Sequence, residues 1–356
     1  MSLNTGITNK INFLEEVPEG GIKSGIDTNV VSEDFNELKA DVDEIKELTP
    51  KRILPLDEVT ATGKYAIINI DGMDRAIPLF SFTEPVPWEP TSLEPFAWYD
   101  AADESTLQIE DTNRVAQWDD KSGNGNYAIA HESDDRPVFQ PEAFNGKPTL
   151  RFASDNPNVG RRLVRNTEYG TGEFAMNRQF VTTFTVYTMF DVTPTRRVLA
   201  IRGNNQNFDI YNGPTGSTTL RSGFVAQNRH NVGPLLEDMA EPLASIIQRG
   251  RITTQSLEYI ENELEIDLKL YDNGSLFAED IFEVPSNFEF NSTFLGIGNS
   301  GNRTFMGNIA VSEIIIFEKL LTNQERERVE GYLAWKWNLV DKLPEGHEYK
   351  TKYPVA

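Results

Sequence analysis

The strongest constraint on the fold is a train of segments with period-two alternation that ends in one segment with helical period. Phe180, Thr182, Phe184, Val186, Thr188 and Phe190 alternate with Val181, Thr183, Thr185, Tyr187 and Met189. Leu264, Ile266, Leu268 and Leu270 alternate with Glu265, Asp267, Lys269 and Tyr271. Alternation places every second side chain on the same face, so each run reads as a half-buried strand. Asp272-Asn273-Gly274-Ser275 is a turn signal leading into Leu276-Phe277-Ala278, which makes a hairpin. Val198–Ile201, Leu295–Ile297 and Ile309–Phe317 supply further strands for two sheets packed face to face. The helical segment follows. Thr322 and Glu325 have capping-box spacing, and Val329, Tyr332, Leu333 and Trp337 form an apolar stripe. Those aromatics read as packing residues, and Gly331 as a point of close approach to a neighbour.

Two motifs frame the region: Ala97-Trp98-Tyr99-Asp100-Ala101 with Trp118-Asp119-Asp120-Lys121-Ser122-Gly123-Asn124-Gly125-Asn126, and Leu321–Arg326 with Gly331–Trp337. The pairing resembles the laminin-G-like, concanavalin A-like jelly-roll domains of phage virion and bacterial surface proteins, over roughly residues 96–352. The resemblance implies a mainly β fold, a two-sheet jelly-roll sandwich closed by an α-helix. It carries no catalytic signature.

Ahead of it, residues 1–31 read as an extended anchoring arm, and residues 32–49 as a short heptad helix with Ser32 as N-cap. Val31, Phe35, Leu38, Val42 and Ile45 form its apolar seam. A helix this short is marginal alone, so the seam packs on its own chain or, in a trimer, on its copies. Residues 50–84 read as a small β-unit whose hairpin turns around Asp71-Gly72. Pro85, Pro87, Pro90 and Pro95 mark residues 85–95 as a stiff linker, followed by the jelly roll at 96–356.

Charge narrows the partners. Lys and Arg number 33 against 55 Asp and Glu, a formal charge of −22, which repels nucleic acid and anionic lipid. With no cysteine, disulfide and thiol chemistry are excluded. No signal peptide or long apolar run is evident. Membrane insertion is therefore not expected, and assembly in a host cytoplasm into a virion is the expected localisation.

Candidate chemistry is sparse. Glu265, Asp267 and Lys269 resemble the alternate-position acidic triplet of laminarinase-type hydrolases, but the third acid is replaced by lysine, which is a poor general acid at neutral pH. The alternative reading is a charged strand face. His131, His230 and His347 are scattered, and no nucleophile elbow or phosphate loop is present. No cofactor is expected; calcium is an alternative at Asp119, Asp120 and Asn124, whose residue types equally suit turn chemistry. Loops mixing aromatics with amides nominate Asn205, Phe208, Tyr211, Asn228, Arg229, Asn299, Asn302 and Arg303 for glycan contact.

The expected function is thus a non-enzymatic phage virion protein, a tail-fibre adhesin or head fibre, attached to other virion proteins by its arm and presenting the jelly roll to host-surface polysaccharide. The alternatives are a capsid decoration protein that binds no glycan, and a carbohydrate-active enzyme or free lectin module. Light scattering on the full chain should give the mass of a trimer; a monomer would remove the heptad seam as an oligomerising element.

Overall fold

The computed structural model describes residues 60–70, 73–81, 86–153, 161–177, 179–190, 198–203, 209–214, 220–225, 229–232, 250–286, 291–298 and 308–356. The chain divides into two compact units, Met1–Val86 and Pro87–Ala356. In the first, strands β1 (Thr60–Ile70) and β2 (Met73–Ser81) pair antiparallel with Ile70 opposite Met73, the hairpin expected from the sequence. The arm and the heptad seam, Val31 to Ile45, lie outside the described residues.

The second unit is antiparallel β with one α-helix among the described residues. Its first strands are β3 (Ala97–Asp100), β4 (Leu107–Glu110), β5 (Arg114–Trp118), β6 (Ala128–Ile129), β7 (Val138–Phe144), β8 (Lys147–Arg151), β9 (Leu163–Arg165) and β10 (Met176–Asn177). There follow β11 (Phe180–Met189), β12 (Leu199–Gly203), β13 (Asp209–Pro214), β14 (Leu220–Val225) and β15 (Arg229–Val232). The last are β16 (Gly250–Ile260), β17 (Glu265–Asp272), β18 (Ser275–Glu283), β19 (Asn291–Ile297) and β20 (Ile309–Phe317), then helix α1 (Asn323–Lys336).

Their pairings draw two sheets. In one, β20 lies between β11 and an edge shared by β3 and β8, and β11 continues through β16 and β17 to β18. In the other, β6, β9, β19, β12, β13, β14 and β15 follow in order. Strands β5, β7 and β8 carry hydrogen bonding from one sheet to the other. Between the sheets lies an apolar core that includes Val181, Tyr187, Leu257, Leu268, Leu199, Leu295, Val311 and Ile314.

A second core lies on the opposite face of the first sheet, where α1 packs. Phe184, Val186, Ile252, Ile315, Phe317 and Trp98 meet Val329, Tyr332, Leu333 and Trp337. This corrects the half-buried reading of 180–190. Every residue of β11 after Phe180 is buried, because odd positions face the sandwich core and even positions face the helix. Strand β17 is half-buried as expected, with Ile266, Leu268 and Leu270 inward, whereas Leu264 falls in the preceding turn at φ 54°. Asn273 and Gly274, both at positive φ, make the expected β17–β18 turn.

Strand β20 serves both cores through a bulge. Val186 pairs with Glu313 and Tyr187 with Val311, leaving Ser312 as the extra residue. The bulge resets the alternation, so Ile309, Val311, Ile314 and Ile316 face the sandwich while Glu313, Ile315 and Phe317 face the helix side.

Helix α1 starts as the sequence predicts: the Glu325 amide donates to Thr322 Oγ1 at 3.3 Å, and the Thr322 amide to Glu325 Oε2 at 2.9 Å. The proline stretch read as a linker is, from Pro87 onward, part of the second unit. Trp88 is buried, its amide donates to the Pro354 carbonyl, and Pro87 bridges to Val355. The stretch is not extended throughout either: Pro90 opens a 3-10 turn, Pro90–Leu93, and Pro87 and Trp88 bond to the C-terminal segment.

Gly331 is where α1 meets that segment. A Cβ built on it would lie 2.4 Å from Tyr349 Cβ and 2.6 Å from its Cγ. Gly331→Ala should therefore destabilise the unit by about 1–3 kcal/mol, although alanine is the better helix former by about 1 kcal/mol. Denaturant unfolding checks this; a gain in stability would show that the contact yields.

Candidate functional site

The two framing motifs converge on one charged cluster. Strand β3 pairs with β20 so that Asp100 lies opposite Glu313 and Trp98 opposite Ile315. Both carboxylates face α1. Two like charges directly across a strand pair repel, and Lys336 resolves the repulsion, with its Nζ 2.7 Å from Asp100 Oδ2 and 2.8 Å from Glu313 Oε2. Glu313 is wholly buried and accepts from the indole N–H of Trp98 at 2.7 Å and of Trp337 at 2.5 Å. Lys336 also donates to the Tyr332 hydroxyl at 3.1 Å.

Lys121 closes the cluster. Its Nζ lies 3.1 Å from Asp100 Oδ2, 3.5 Å from Asp103 Oδ2 and 4.5 Å from the centre of the Trp98 ring. Burial works against the charge on Lys121, but Asp100 and Asp103 outweigh it and hold the ammonium pKa above its ordinary value. Burial likewise raises the pKa of the Glu313 carboxyl; Lys336 opposes the rise and Asp100 adds to it. The Tyr332 hydroxyl is pushed far up by burial and then by Glu313.

This cluster is the floor of a cleft of about 560 Å³, lined by Glu89, Asp100, Ala102, Asp103, Glu104, Lys121, Tyr332, Lys336 and Tyr353. Burial raises the pKa of the Tyr353 hydroxyl, helped by Glu89 and Glu313.

The loop after Trp118 builds one wall. Asp120 accepts the backbone amides of Trp98, Ser122 and Asn126, each at 2.9 Å. Gly123 and Gly125 sit at φ 88° and 73°, which glycine adopts freely. Asn124 donates to the Pro95 and Phe96 carbonyls, and Asp119 accepts from Gln117. Of the three, Asp120 makes a turn bond, to the Ser122 amide, while Asn124 ties the loop to the segment ahead of β3 and Asp119 bonds the Gln117 side chain. Among the described residues, no three His, Asp or Glu side chains gather as a metal site needs.

Asn205, Phe208, Asn228, Asn299, Asn302 and Arg303 lie outside the described residues, and Tyr211 on β13 and Arg229 on β15 are described by backbone alone. On β17, Lys269 pairs with Asp267, while the Glu265 pKa is raised by desolvation and by Glu263 and Glu283. His347 is buried, accepts the Tyr349 amide at Nδ1, and approaches Glu330 Oε2 at 3.3 Å with Nε2.

In the sequence, Asp100, Lys121, Tyr332 and Lys336 stand inside the framing motifs without a site role, and Glu89, Asp103, Glu104, Glu313 and Tyr353 are not among the expected site residues. The available signal for Glu313 was an acidic residue inside an otherwise apolar strand.

No protein-family model and no curated protein matches the chain. Solved structures do. The ligand-binding domain of botulinum neurotoxin serotype D, determined with N-acetylneuraminic acid, is 11% identical with a TM-score of 0.44, over 68% of this chain and 52% of that one. The binding domain of paraclostridial mosquitocidal protein 1 is 13% identical with a TM-score of 0.44, over 68% and 52%. The CBM40 module of the Ruminococcus gnavus IT-sialidase, bound to α2,3-sialyllactose, is 8% identical with a TM-score of 0.31, over 43% and 90%. The chain spans about half the length of the toxin domains it matches. At these identities the likeness is of fold alone.

The floor gives a stability prediction. Lys336→Met leaves two facing carboxylates without their shared cation and should cost about 3–5 kcal/mol; adding Glu313→Gln should recover part of it. In the parent chain the folded state holds the Glu313 proton more tightly than the unfolded state does. Its contribution is therefore full below the ordinary carboxylate pKa and is lost as pH rises through the raised folded value. Thermal unfolding across that window, parent minus Glu313→Gln, should show this downward slope; a flat difference would contradict it.

Proposed function

We propose that the second unit is a non-catalytic carbohydrate-binding module, and that the cleft over Asp100, Lys121 and Lys336 is its binding site. The observation that carries this reading is how completely the floor is tied. Lys336 is shared among Asp100, Glu313 and Tyr332. Asp100 Oδ2 takes both lysines, while Oδ1 accepts the Ala102 amide at 3.0 Å. A general acid or base must be free to exchange a proton near the working pH, and these groups spend their bonds on one another. What such a floor offers is rigid, preorganised polarity in a cleft that Tyr353 also lines, which serves recognition better than turnover.

In this reading the module belongs to a phage virion protein, a tail or head fibre, whose N-terminal residues attach it to the particle. Support for that part comes from the order of the sequence: an arm, then a heptad seam, then a hairpin ahead of the sandwich.

A panel of neutral, amino-bearing and acidic oligosaccharides titrated into the full chain by calorimetry tests the site. At least one should bind, Tyr353→Ala should weaken it by about tenfold, a loss of about 1.4 kcal/mol, and no cleavage product should form. Binding that is indifferent to Tyr353→Ala would move the site elsewhere, and hydrolysis would replace the module with an enzyme.

A further inference from the structure

Resting on the reading of the cleft as a carbohydrate site, we infer that its ligand is an amino sugar bearing a protonated primary amine, presented in an oligosaccharide. Four carboxylates line the cleft against two ammonium groups, and the distribution matters more than the count. Both lysines are committed to the floor. Lys336 contacts Asp100, Glu313 and Tyr332, and Lys121 contacts Asp100 and Asp103 while lying against Trp98. No lining cation is therefore left to receive an anionic sugar.

The exposed walls are the reverse. Glu89 and Glu104 are exposed and make no ion pair with a described residue. They line the cleft together with the half-buried Tyr353, whereas Tyr332 is buried and its ring already lies against Lys336, Trp88 and Trp98. Carboxylates beside the Tyr353 ring make an ammonium site, because a ring face and a carboxylate both attract a cation. The upward shift of the Tyr353 hydroxyl, caused by burial and then by Glu89 and Glu313, agrees with a negative potential in that space. A volume of about 560 Å³ accommodates sugar rather than a bare ion, so the amine is read as a substituent on a polyol. The same charges reject a sialylated glycan, since its carboxylate would meet unpaired acids.

The test is calorimetry on the full chain with three probes at one ionic strength: a fully deacetylated glucosamine tetramer, its N-acetylated counterpart, and α2,3-sialyllactose. A fourth probe, tetralysine, separates amino sugar from amine alone. The glucosamine tetramer should bind at least about tenfold tighter than the other three. Glu89→Gln with Glu104→Gln should weaken it by about tenfold, while Glu283→Gln with Glu345→Gln, which removes the same charge outside the cleft, should leave it unchanged. Equal affinity for tetralysine, or equal loss in both double variants, would reduce the effect to general attraction by an acidic protein and overturn the inference. Tighter binding of the N-acetylated or sialylated probe, lost in Tyr353→Ala, would overturn the amino-sugar class and leave the carbohydrate site standing. Binding of none of the sugars would remove both.

Discussion

The architecture of the second unit turns on one buried acid. Glu313 sits on the sheet face that α1 covers, opposite Asp100 on the neighbouring strand. A charge with no exposed surface is tolerated only when its oxygens are fully bonded. Here the bonds come from three directions: Trp98 from β3, Trp337 from the end of α1, and Lys336 from within it. Strand, helix and helix end are thereby fixed relative to one another, and the cleft above them inherits that geometry. A one-residue bulge at Ser312 is what aims the carboxylate at the helix instead of the sandwich core.

Two further acids perform the same kind of work by other means. Asp120 gathers three backbone amides and so fixes the loop that delivers Lys121. Glu330, on the next face of α1, accepts from Arg326 at 2.6 Å and Thr254 at 2.8 Å and lies beside His347. The helix is thus held to the sheet by carboxylates as well as by its apolar stripe. The burial of polar groups next to so many aromatic rings confers a specific register, because each acid accepts only the donors placed for it.

What the sequence made legible, and what it hid, follows from the physics of each signal. Alternation in β17 and the Thr322–Glu325 capping box were readable because each is a local pattern with one structural outcome. The two-sided burial of β11 was not, because threonine reads as polar yet packs well in a strand, and only tertiary packing shows that Thr183 and Thr185 face the sandwich. Prolines 87 to 95 looked like a spacer since proline stiffens a chain whether or not something packs on it; Trp88 was the residue that argued otherwise. The cleft was half legible: Asp100, Lys121 and Lys336 stood inside the framing motifs, but nothing local links residues more than 200 positions apart. Asn-rich loops stand out locally because their composition resembles sugar-binding surfaces, whereas the charged cleft is assembled by strand register and one helix, which no local pattern shows.

Tryptophan supplies the most direct measurement of the central claim. The chain has five, and the indoles of Trp98 and Trp337 donate to Glu313 beneath the cleft, whereas Trp118 belongs to the core between the sheets. The indole N–H resonances, followed by NMR as a bound oligosaccharide is titrated into the full chain, should shift for Trp98 and Trp337 and stay in place for Trp118. Binding that leaves Trp98 and Trp337 unmoved would contradict the assignment of the cleft as the site.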